Sequence, residues 1–210
     1  MAITPAPPDV LIVVDVQNDF LPGGSLAVAG GDQIIPLVNK LGRKFSNVVM
    51  TQDWHPAAHV SFASNHPGST PFEVIELPYG PQVLWPDHCV WQTRGAELSA
   101  ELDLPHAQLT IRKGFNEAVD SYSGFQEADR RTRTGLAGYL RERGLSRLFV
   151  VGLATDFCVA WTALDARAAG FETFVIEDAT RAIDADGSLA RAWDDMGAAG
   201  VKRMIAGDIA

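Results

Sequence analysis

Residues 147 to 158 decide the fold, and they read Arg147-Leu148-Phe149-Val150-Val151-Gly152-Leu153-Ala154-Thr155-Asp156-Phe157-Cys158. The run opens with apolar, partly β-branched residues, which is typical of a buried parallel strand. Gly152 and Ala154 allow the backbone to turn closely, and Thr155 or Asp156 is expected to cap a following helix. Cys158 is therefore predicted to lie in the first turn of a helix, at the carboxyl end of a strand.

Two interpretations of Cys158 are open at this point. Free N–H groups and the positive end of the helix dipole favour a thiolate nucleophile, and the same groups could hold an oxyanion. Alternatively, Cys158 is an inert small apolar residue between helix and sheet, which is the commoner role of an isolated buried cysteine. The rest of the chain has to decide between them.

Composition limits the class of protein. With 210 residues, 47% of them hydrophobic, the chain is expected to form one domain over 1–210. A net charge of −9 argues against a nucleic-acid partner. Two cysteines, Cys89 and Cys158, are too few for a disulfide scaffold, so a cytoplasmic location is expected. Neither a signal-peptide pattern nor a run of about 20 apolar residues is present, so no membrane partner is expected.

Predicted strands and helices alternate, which indicates a parallel, doubly wound α/β sheet. After an extended, proline-rich lead over 1–8, strands are predicted at 10–14, 47–52, 108–112, 172–176 and 201–205, besides the one before Gly152. Helices are predicted at 33–45, 95–102, 130–143 and 188–199, besides the one at Cys158. Residues 60–84 show little periodicity and are interpreted as a long functional loop, while 177–181 is interpreted as a short one.

Polar residues follow three of these strands, where ligands bind in open α/β sheets. Asp15 and Lys113 each come at a strand end, although Asp15 could equally bond the next loop and a lone lysine is usually solvated. Asp53 and His55 are two residues apart in an extended segment, so their side chains point the same way. A carboxylate with an imidazole suits zinc, iron or manganese, although such a short pattern is a weak signal alone.

Six motifs taken in order closely resemble the nicotinamidase (pyrazinamidase) family of isochorismatase-like cysteine hydrolases. The resemblance runs from about Leu11 to beyond Asp178, nearly the whole chain. The motifs are Asp15-Val-Gln-Asn-Asp-Phe20, Asp53-Trp-His55-Pro, Trp85-Pro-Asp-His88-Cys89, Lys113-Gly, Asp120-Ser-Tyr-Ser-Gly-Phe125 and Gly152-Leu-Ala-Thr-Asp-Phe-Cys158. Cys89 is interpreted as a core residue rather than as a soft metal ligand.

This resemblance implies a fold, a reaction and a set of site residues. The fold is a three-layer α/β/α domain with a central parallel sheet of about six strands. The reaction is hydrolysis of nicotinamide, and of pyrazinamide-like aromatic amides, to nicotinate and ammonia through a Cys158 thioester, as in NAD salvage. The implied residues are the catalytic triad Asp15, Lys113 and Cys158, the oxyanion-hole N–H groups of Ala154 and Cys158, the aromatic walls Phe20, Trp85 and Tyr122, and the metal ligands Asp53, His55 and His88.

The resemblance leaves some features open. His59 matches a position that binds the metal in some members and only lines the site in others. One divalent transition metal is implied, with zinc first and iron or manganese as alternatives, and a homo-oligomer is an open expectation. A cis peptide bond is implied between Leu153 and Ala154. In the implied mechanism Asp15 takes the thiol proton of Cys158, and Lys113 lowers the pKa of that thiol.

Two competing functions are weighed against this one. Metal-free relatives of the same fold hydrolyse isochorismate or carbamoyl amides, and they would not need the motifs around Asp53, His55 and His88. A non-catalytic binding subunit of the same fold would have no reason to keep Asp15, Lys113 and Cys158 together. The completeness of the motifs favours the nicotinamidase reading.

Overall fold

The computed structural model describes residues 2–210. It has a six-stranded parallel sheet at its centre. Its strands are β1 Asp9–Val14, β2 Val48–Asp53, β5 Leu109–Lys113, β6 Arg147–Leu153, β7 Glu172–Arg181 and β8 Lys202–Met204. Their order across the sheet is β5-β2-β1-β6-β7-β8, and every neighbouring pair is parallel. The predicted α/β class with a mostly parallel sheet is confirmed.

Helices cover both faces of this sheet, as strands that are apolar along their whole length require. The helices are α1 Ile35–Gly42, α2 Leu136–Glu142, α3 Ala160–Ala168 and α4 Ser188–Ala198. Alternate residues of the buried strand β1 point to opposite faces. Leu11 and Val13 pack in one core cluster with α1, whereas Val10, Ile12 and Val14 pack in a second cluster with the other three helices. None of the helices within residues 2–210 is long and apolar enough to span a bilayer.

The segment 60–84, predicted as a loop, contains a short antiparallel hairpin. Its strands are β3 Val74–Leu77 and β4 Gly80–Val83. Each strand has four residues, of which all four in β3 and three in β4 are at least partly exposed, so the sequence carries little apolar alternation. The hairpin therefore left no clear periodic signal.

The prediction of a helix at 95–102 is wrong, because the structure has no helix there. The backbone of this segment makes a single internal turn bond and otherwise pairs with the chain that follows β1: the N–H of Asn18 donates to the carbonyl of Glu97, and the N–H of Ser99 donates to the carbonyl of Val16. Tertiary pairing has overridden local helix propensity here. The helices predicted at 33–45 and 130–143 are present but shorter, as α1 and α2.

The loop predicted at 177–181 is also wrong, because β7 continues to Arg181. The register against β6 shifts on the way, since Val150 pairs with Val175 whereas Gly152 pairs with Thr180. This irregularity in the pairing accommodates the polar residues 177–181 within the strand. At the amino end, Ile3 makes an isolated parallel bridge with Ile209.

Candidate functional site

Four adjacent strands of the sheet deliver the polar residues to one edge. Lys113 and Asp53 are the last residues of β5 and β2 and pair in register. Asp15 follows β1, and Cys158 follows β6 after a single turn. Because parallel strands end at the same edge, residues almost 150 positions apart in sequence meet there.

Two glycines make this close approach feasible. Gly152 has a φ of 114°, and a Cβ on it would lie 2.1 Å from the carbonyl oxygen of Val14, the residue before Asp15. Gly114 has a φ of 66°, and a Cβ there would lie 2.3 Å from Cε1 of His55. Any side chain at either position would displace a functional neighbour.

The turn that carries Cys158 differs from the expected capped helix. Residues Thr155–Val159 form a π-helical turn before α3, and its N-cap is Ala154, which has no side-chain cap. The predicted capping by Thr155 or Asp156 is wrong, because the Asp156 carboxylate instead accepts bonds from the N–H groups of Ile183 and Asp184 and from the Ser188 hydroxyl. Asp156 thus ties this turn to the start of α4. The peptide bond between Leu153 and Ala154 is cis, as expected.

Asp15, Asp53, Lys113 and Cys158 form a buried group that we call the lysine cluster. The Lys113 Nζ lies 2.8 Å from Asp15 Oδ2, 2.5 Å from Asp53 Oδ1 and 3.4 Å from Cys158 Sγ. Thr51 donates its hydroxyl to Asp15 Oδ1 at 2.6 Å. A carboxylate oxygen of Asp15 and one of Asp53 both lie within 4.8 Å of Cys158 Sγ.

Burial and the charge of Lys113 act in opposite directions on the pKa of the Cys158 thiol. Burial raises the pKa of Cys158 well above its usual value, and the Lys113 ammonium lowers that pKa by less. Burial also raises the pKa of Asp15 against the opposing charge of Lys113. The expected lowering of the thiol pKa by Lys113 is present, but the larger effect of burial makes the net shift upward. Burial lowers the pKa of Lys113, but Asp15 and Asp53 outweigh it and hold that pKa well above its usual value.

His55, His59, His88 and Asp120 form a second buried group, the histidine cluster, which borders the first at Asp53. Ligand atoms of Asp53, His55 and His88 lie within 4.8 Å of one another, and so do those of His55, His59 and Asp120. The structure thus brings together all three predicted metal ligands and places His59 beside them. Cys89 lies in the apolar core, as interpreted from the sequence.

The histidines are arranged as metal ligands require. The Nδ1 atoms of His55 and His88 each lie 2.8 Å from a backbone carbonyl, of Gly114 and Pro86, so each ring donates there and keeps its Nε2 lone pair free. The buried Nε2 of His59 has no hydrogen-bond partner. Burial, reinforced by His55, lowers the pKa of His59 and His88 to about 4, so both rings are neutral at pH 7. These residues fit a divalent transition metal.

A pocket opens between the two clusters. Phe20, Trp85, Tyr122, Ala154 and Cys158 line it, together with the three predicted metal ligands. Tyr122 Oη accepts a bond from Trp85 Nε1 at 2.9 Å, so two of the aromatic walls hold each other. Lys113 and Asp15 lie beneath the pocket in contact with Cys158 rather than on its surface.

The sequence reasoning missed four residues that line the pocket: Leu26, Asp120, Phe157 and Ile183. Asp120 and Phe157 lie within motifs already singled out, so their motif membership was a usable signal. The Phe157 ring meets Trp85 edge-on, with centroids 4.9 Å apart. Leu26 and Ile183 come from irregular segments, where no periodic pattern marks a buried side chain.

Comparison with known proteins places this geometry in a family. The isochorismatase domain model matches residues 9–204. This chain belongs to the isochorismatase family. A nicotinamidase of Acinetobacter baylyi is 64% identical over 199 residues, covering 95% of this chain and 93% of that protein.

Two solved structures of isochorismatase-like proteins add ligands to the comparison. The PnC1 protein of L. infantum, solved with nicotinate, has a TM-score of 0.88 and 39% identity, covering 100% of this chain and 99% of that chain. The pyrazinamidase of Pyrococcus horikoshii, solved with zinc, has a TM-score of 0.78 and 39% identity, covering 95% of this chain and 99% of that chain. The predicted membership of the nicotinamidase and pyrazinamidase group is confirmed, and this isochorismatase-family chain has residues that can hold a metal.

Proposed function

We propose that this chain is a nicotinamidase, which hydrolyses nicotinamide and pyrazinamide-like aromatic amides to nicotinate and ammonia. The observation that carries the proposal is the contact of Lys113 with Asp15, Asp53 and Cys158 beneath an aromatic pocket whose other side is the histidine cluster. The identity to a nicotinamidase and the fold shared with a nicotinate complex support the same substrate class. Such a reaction would serve NAD salvage.

The reaction would begin with proton transfer from Cys158 to Asp15. The thiol needs a base because burial raises its pKa, and the raised pKa of Asp15 makes that carboxylate a stronger base than an exposed one. The sulfur would then attack the carboxamide carbon. The N–H groups of Ala154 and Cys158 would hold the resulting oxyanion, a contribution of about 3 kcal/mol per donor in comparable sites.

Collapse of this adduct would break the carbon–nitrogen bond. Asp15 would return its proton to the leaving nitrogen, so that ammonia departs and a thioester remains on Cys158. Asp15 would then take a proton from water as its oxygen attacks the thioester carbon, and nicotinate and the Cys158 thiol would form. Lys113 would remain charged throughout, because Asp15 and Asp53 hold its pKa well above its usual value although burial opposes them.

Asp53, His55 and His88 would hold the metal, for which zinc is the first choice, with His59 as a further ligand or a neighbour. The bound cation would accept the lone pair of the pyridine nitrogen and so fix the rotation of the ring. Phe20, Trp85 and Tyr122 would set the plane of that ring.

Two cysteines that form no disulfide, Cys89 and Cys158, suit a reducing cytoplasm.

Ammonia release tests the proposal directly. We expect the metal-loaded protein to release ammonia from nicotinamide and pyrazinamide, and to release far less from an N-carbamoyl amino acid. A coupled assay for ammonia, run with each substrate at matched concentrations, makes the measurement. Faster turnover of the carbamoyl compound than of nicotinamide would assign the chain to another branch of the family.

A further inference from the structure

Asp120 is a buried carboxylate for which the reaction described above has no role. It is 2% exposed and lines the pocket. One of its oxygens lies within 4.8 Å of a nitrogen of His55 and of a nitrogen of His59. It therefore faces the histidine cluster rather than Cys158 and the groups around it.

A closed ring of hydrogen bonds holds Asp120 in place. Tyr79 donates its hydroxyl to Gln82 Oε1 at 3.0 Å, Gln82 Nε2 donates to Asp120 Oδ2 at 2.7 Å, and the backbone N–H of Asp120 donates to the Tyr79 oxygen at 3.4 Å. The N–H of Ser121 donates to Oδ1 at 2.7 Å. Both carboxylate oxygens thus accept N–H bonds, which suits the ionised form because that form has no proton to donate. Gln82, 2% exposed, comes from the hairpin β3–β4.

The carboxylate of Asp120 makes no close ion pair within the part of the chain that the structure describes. Within residues 2–210, no lysine, arginine or histidine nitrogen lies within 4.0 Å of its carboxylate. Among the other buried carboxylates, those of Asp9, Asp15, Asp53 and Asp165 each have a basic partner, whereas those of Glu127 and Asp156 have none. Buried charges in proteins are normally paired or balanced by a metal ion. Of the three unpaired carboxylates, only that of Asp120 lies in a group of possible metal ligands within residues 2–210, so a cation bound there would balance its charge.

We propose that Asp120 is a positioning residue for the metal: its carboxylate balances the charge of the cation in the histidine cluster from outside the ligand set. The proposal rests on the metal site of the proposed function and extends it by one residue. Outer carboxylates of this kind typically change metal affinity by about 10- to 100-fold when they are removed. Gln82 and Ser121 hold the carboxylate, so the hairpin takes part in building the metal site.

Metal affinity, measured without substrate, tests this role. Zinc is titrated against a competing fluorescent chelator in the wild type, Asp120→Asn and Gln82→Met. Asp120→Asn removes the charge, and we expect its affinity for zinc to fall by about tenfold or more. Gln82→Met removes the hydrogen bond to Asp120, together with the other side-chain bonds of Gln82, but keeps the charge of Asp120, so its affinity should fall much less. Asp165→Asn, which alters a buried carboxylate on α3, serves as the control and should keep wild-type affinity.

A thermal unfolding measurement separates the charge from simple support of the fold. We expect zinc to raise the melting temperature of Asp120→Asn less than that of the wild type, while the metal-stripped forms melt at similar temperatures. Equal zinc affinity in Asp120→Asn and the wild type would overturn the proposal. Equal losses in Asp120→Asn and Gln82→Met would also overturn it, because a shared hydrogen bond would then explain both. Since no step uses nicotinamide, these outcomes are independent of whether the wild type releases ammonia.

Discussion

The lysine cluster and the histidine cluster meet at Asp53 and face the same pocket. Their buried polar and charged groups differ in whether they have partners within the chain. In the lysine cluster Lys113 contacts Asp15, Asp53 and Cys158, so each charged group has an opposite charge within 4 Å in the chain. In the histidine cluster the buried Nε2 of His59 has no hydrogen-bond partner, and no basic nitrogen of residues 2–210 lies within 4.0 Å of the Asp120 carboxylate.

This difference separates two kinds of functional group. Groups whose partners lie within the chain are held ready to react, because their geometry does not depend on a ligand. Buried polar atoms without a partner are costly, so where they persist they indicate a place that something else fills. We therefore assign the covalent chemistry to the lysine cluster and the binding of a cation to the histidine cluster.

The largest expected effect is the loss of the nucleophile. Cys158→Ala should lower the rate of ammonia release from nicotinamide by about 10⁴-fold or more, because the other groups act only through the sulfur. The matched control is Cys89→Ala, which changes the other buried cysteine and should keep most of the activity. Residual activity of more than a few per cent in Cys158→Ala would contradict the assignment of the covalent chemistry to the lysine cluster.

The next effect concerns stability. Lys113→Met leaves Asp15 and Asp53 buried without their cation, and we expect the free energy of unfolding to fall by about 3–5 kcal/mol. Urea unfolding of the metal-stripped protein measures the loss. Lys202→Met breaks the exposed pair with Glu172 and should cost about 1 kcal/mol or less. Equal losses of unfolding free energy in the two variants would show that the buried Lys113 contributes no more to stability than an exposed ion pair.

The sequence predicted the residues of the two clusters best where they follow the end of a strand. Asp15, Asp53 and Lys113 could be found because each follows a run of apolar residues, and parallel strands bring such positions to one edge. Asp120 and Gln82 could not be placed in this way, because they lie in irregular or short elements. The hairpin strands have only four residues each, and the bonds from Gln82 to Asp120 and Tyr122 depend on tertiary contacts.

The fold was predicted best where burial on both faces gives long apolar runs, as in β1 and β6. It was predicted worst at 95–102, where the chain bonds to Val16 and Asn18 instead of forming a helix. The lowering effect of Lys113 on the Cys158 pKa could be expected from its charge, whereas the larger, raising effect of burial could not, since the depth of burial depends on packing from the whole chain.

A third experiment asks which histidines bind the metal. His55→Ala should lower zinc affinity by more than about 100-fold, because losing a ligand costs more than losing an outer partner. His59→Ala shows whether the unpartnered Nε2 is a ligand or a neighbour, and a loss equal to that of His55→Ala would make it a ligand. His106→Ala, at an exposed site outside the cluster, should leave zinc affinity unchanged. Purified protein free of zinc, iron and manganese that also fails to take up zinc would contradict the metal site.

A smaller effect is expected at the aromatic wall. Tyr122→Phe removes the hydroxyl that accepts bonds from Trp85 at 2.9 Å and Gln82 at 3.3 Å. We expect KM for nicotinamide to rise by a factor that corresponds to about 1 kcal/mol, with a smaller change in kcat. Tyr139→Phe on α2 is the matched control, and both constants should stay at the wild-type values. A fall in kcat without a change in KM would place Tyr122 in the chemical step instead.

The most direct test of the division between the clusters compares nicotinamide with benzamide, which keeps the ring and the carboxamide but lacks the pyridine nitrogen. The rates of ammonia release are measured in metal-loaded and metal-stripped protein. We expect metal-loaded protein to favour nicotinamide strongly, and stripping to raise KM for nicotinamide while benzamide turnover changes little. Equal turnover of the two amides by metal-loaded protein, or equal loss of both on stripping, would contradict the assignment of binding to one cluster and chemistry to the other.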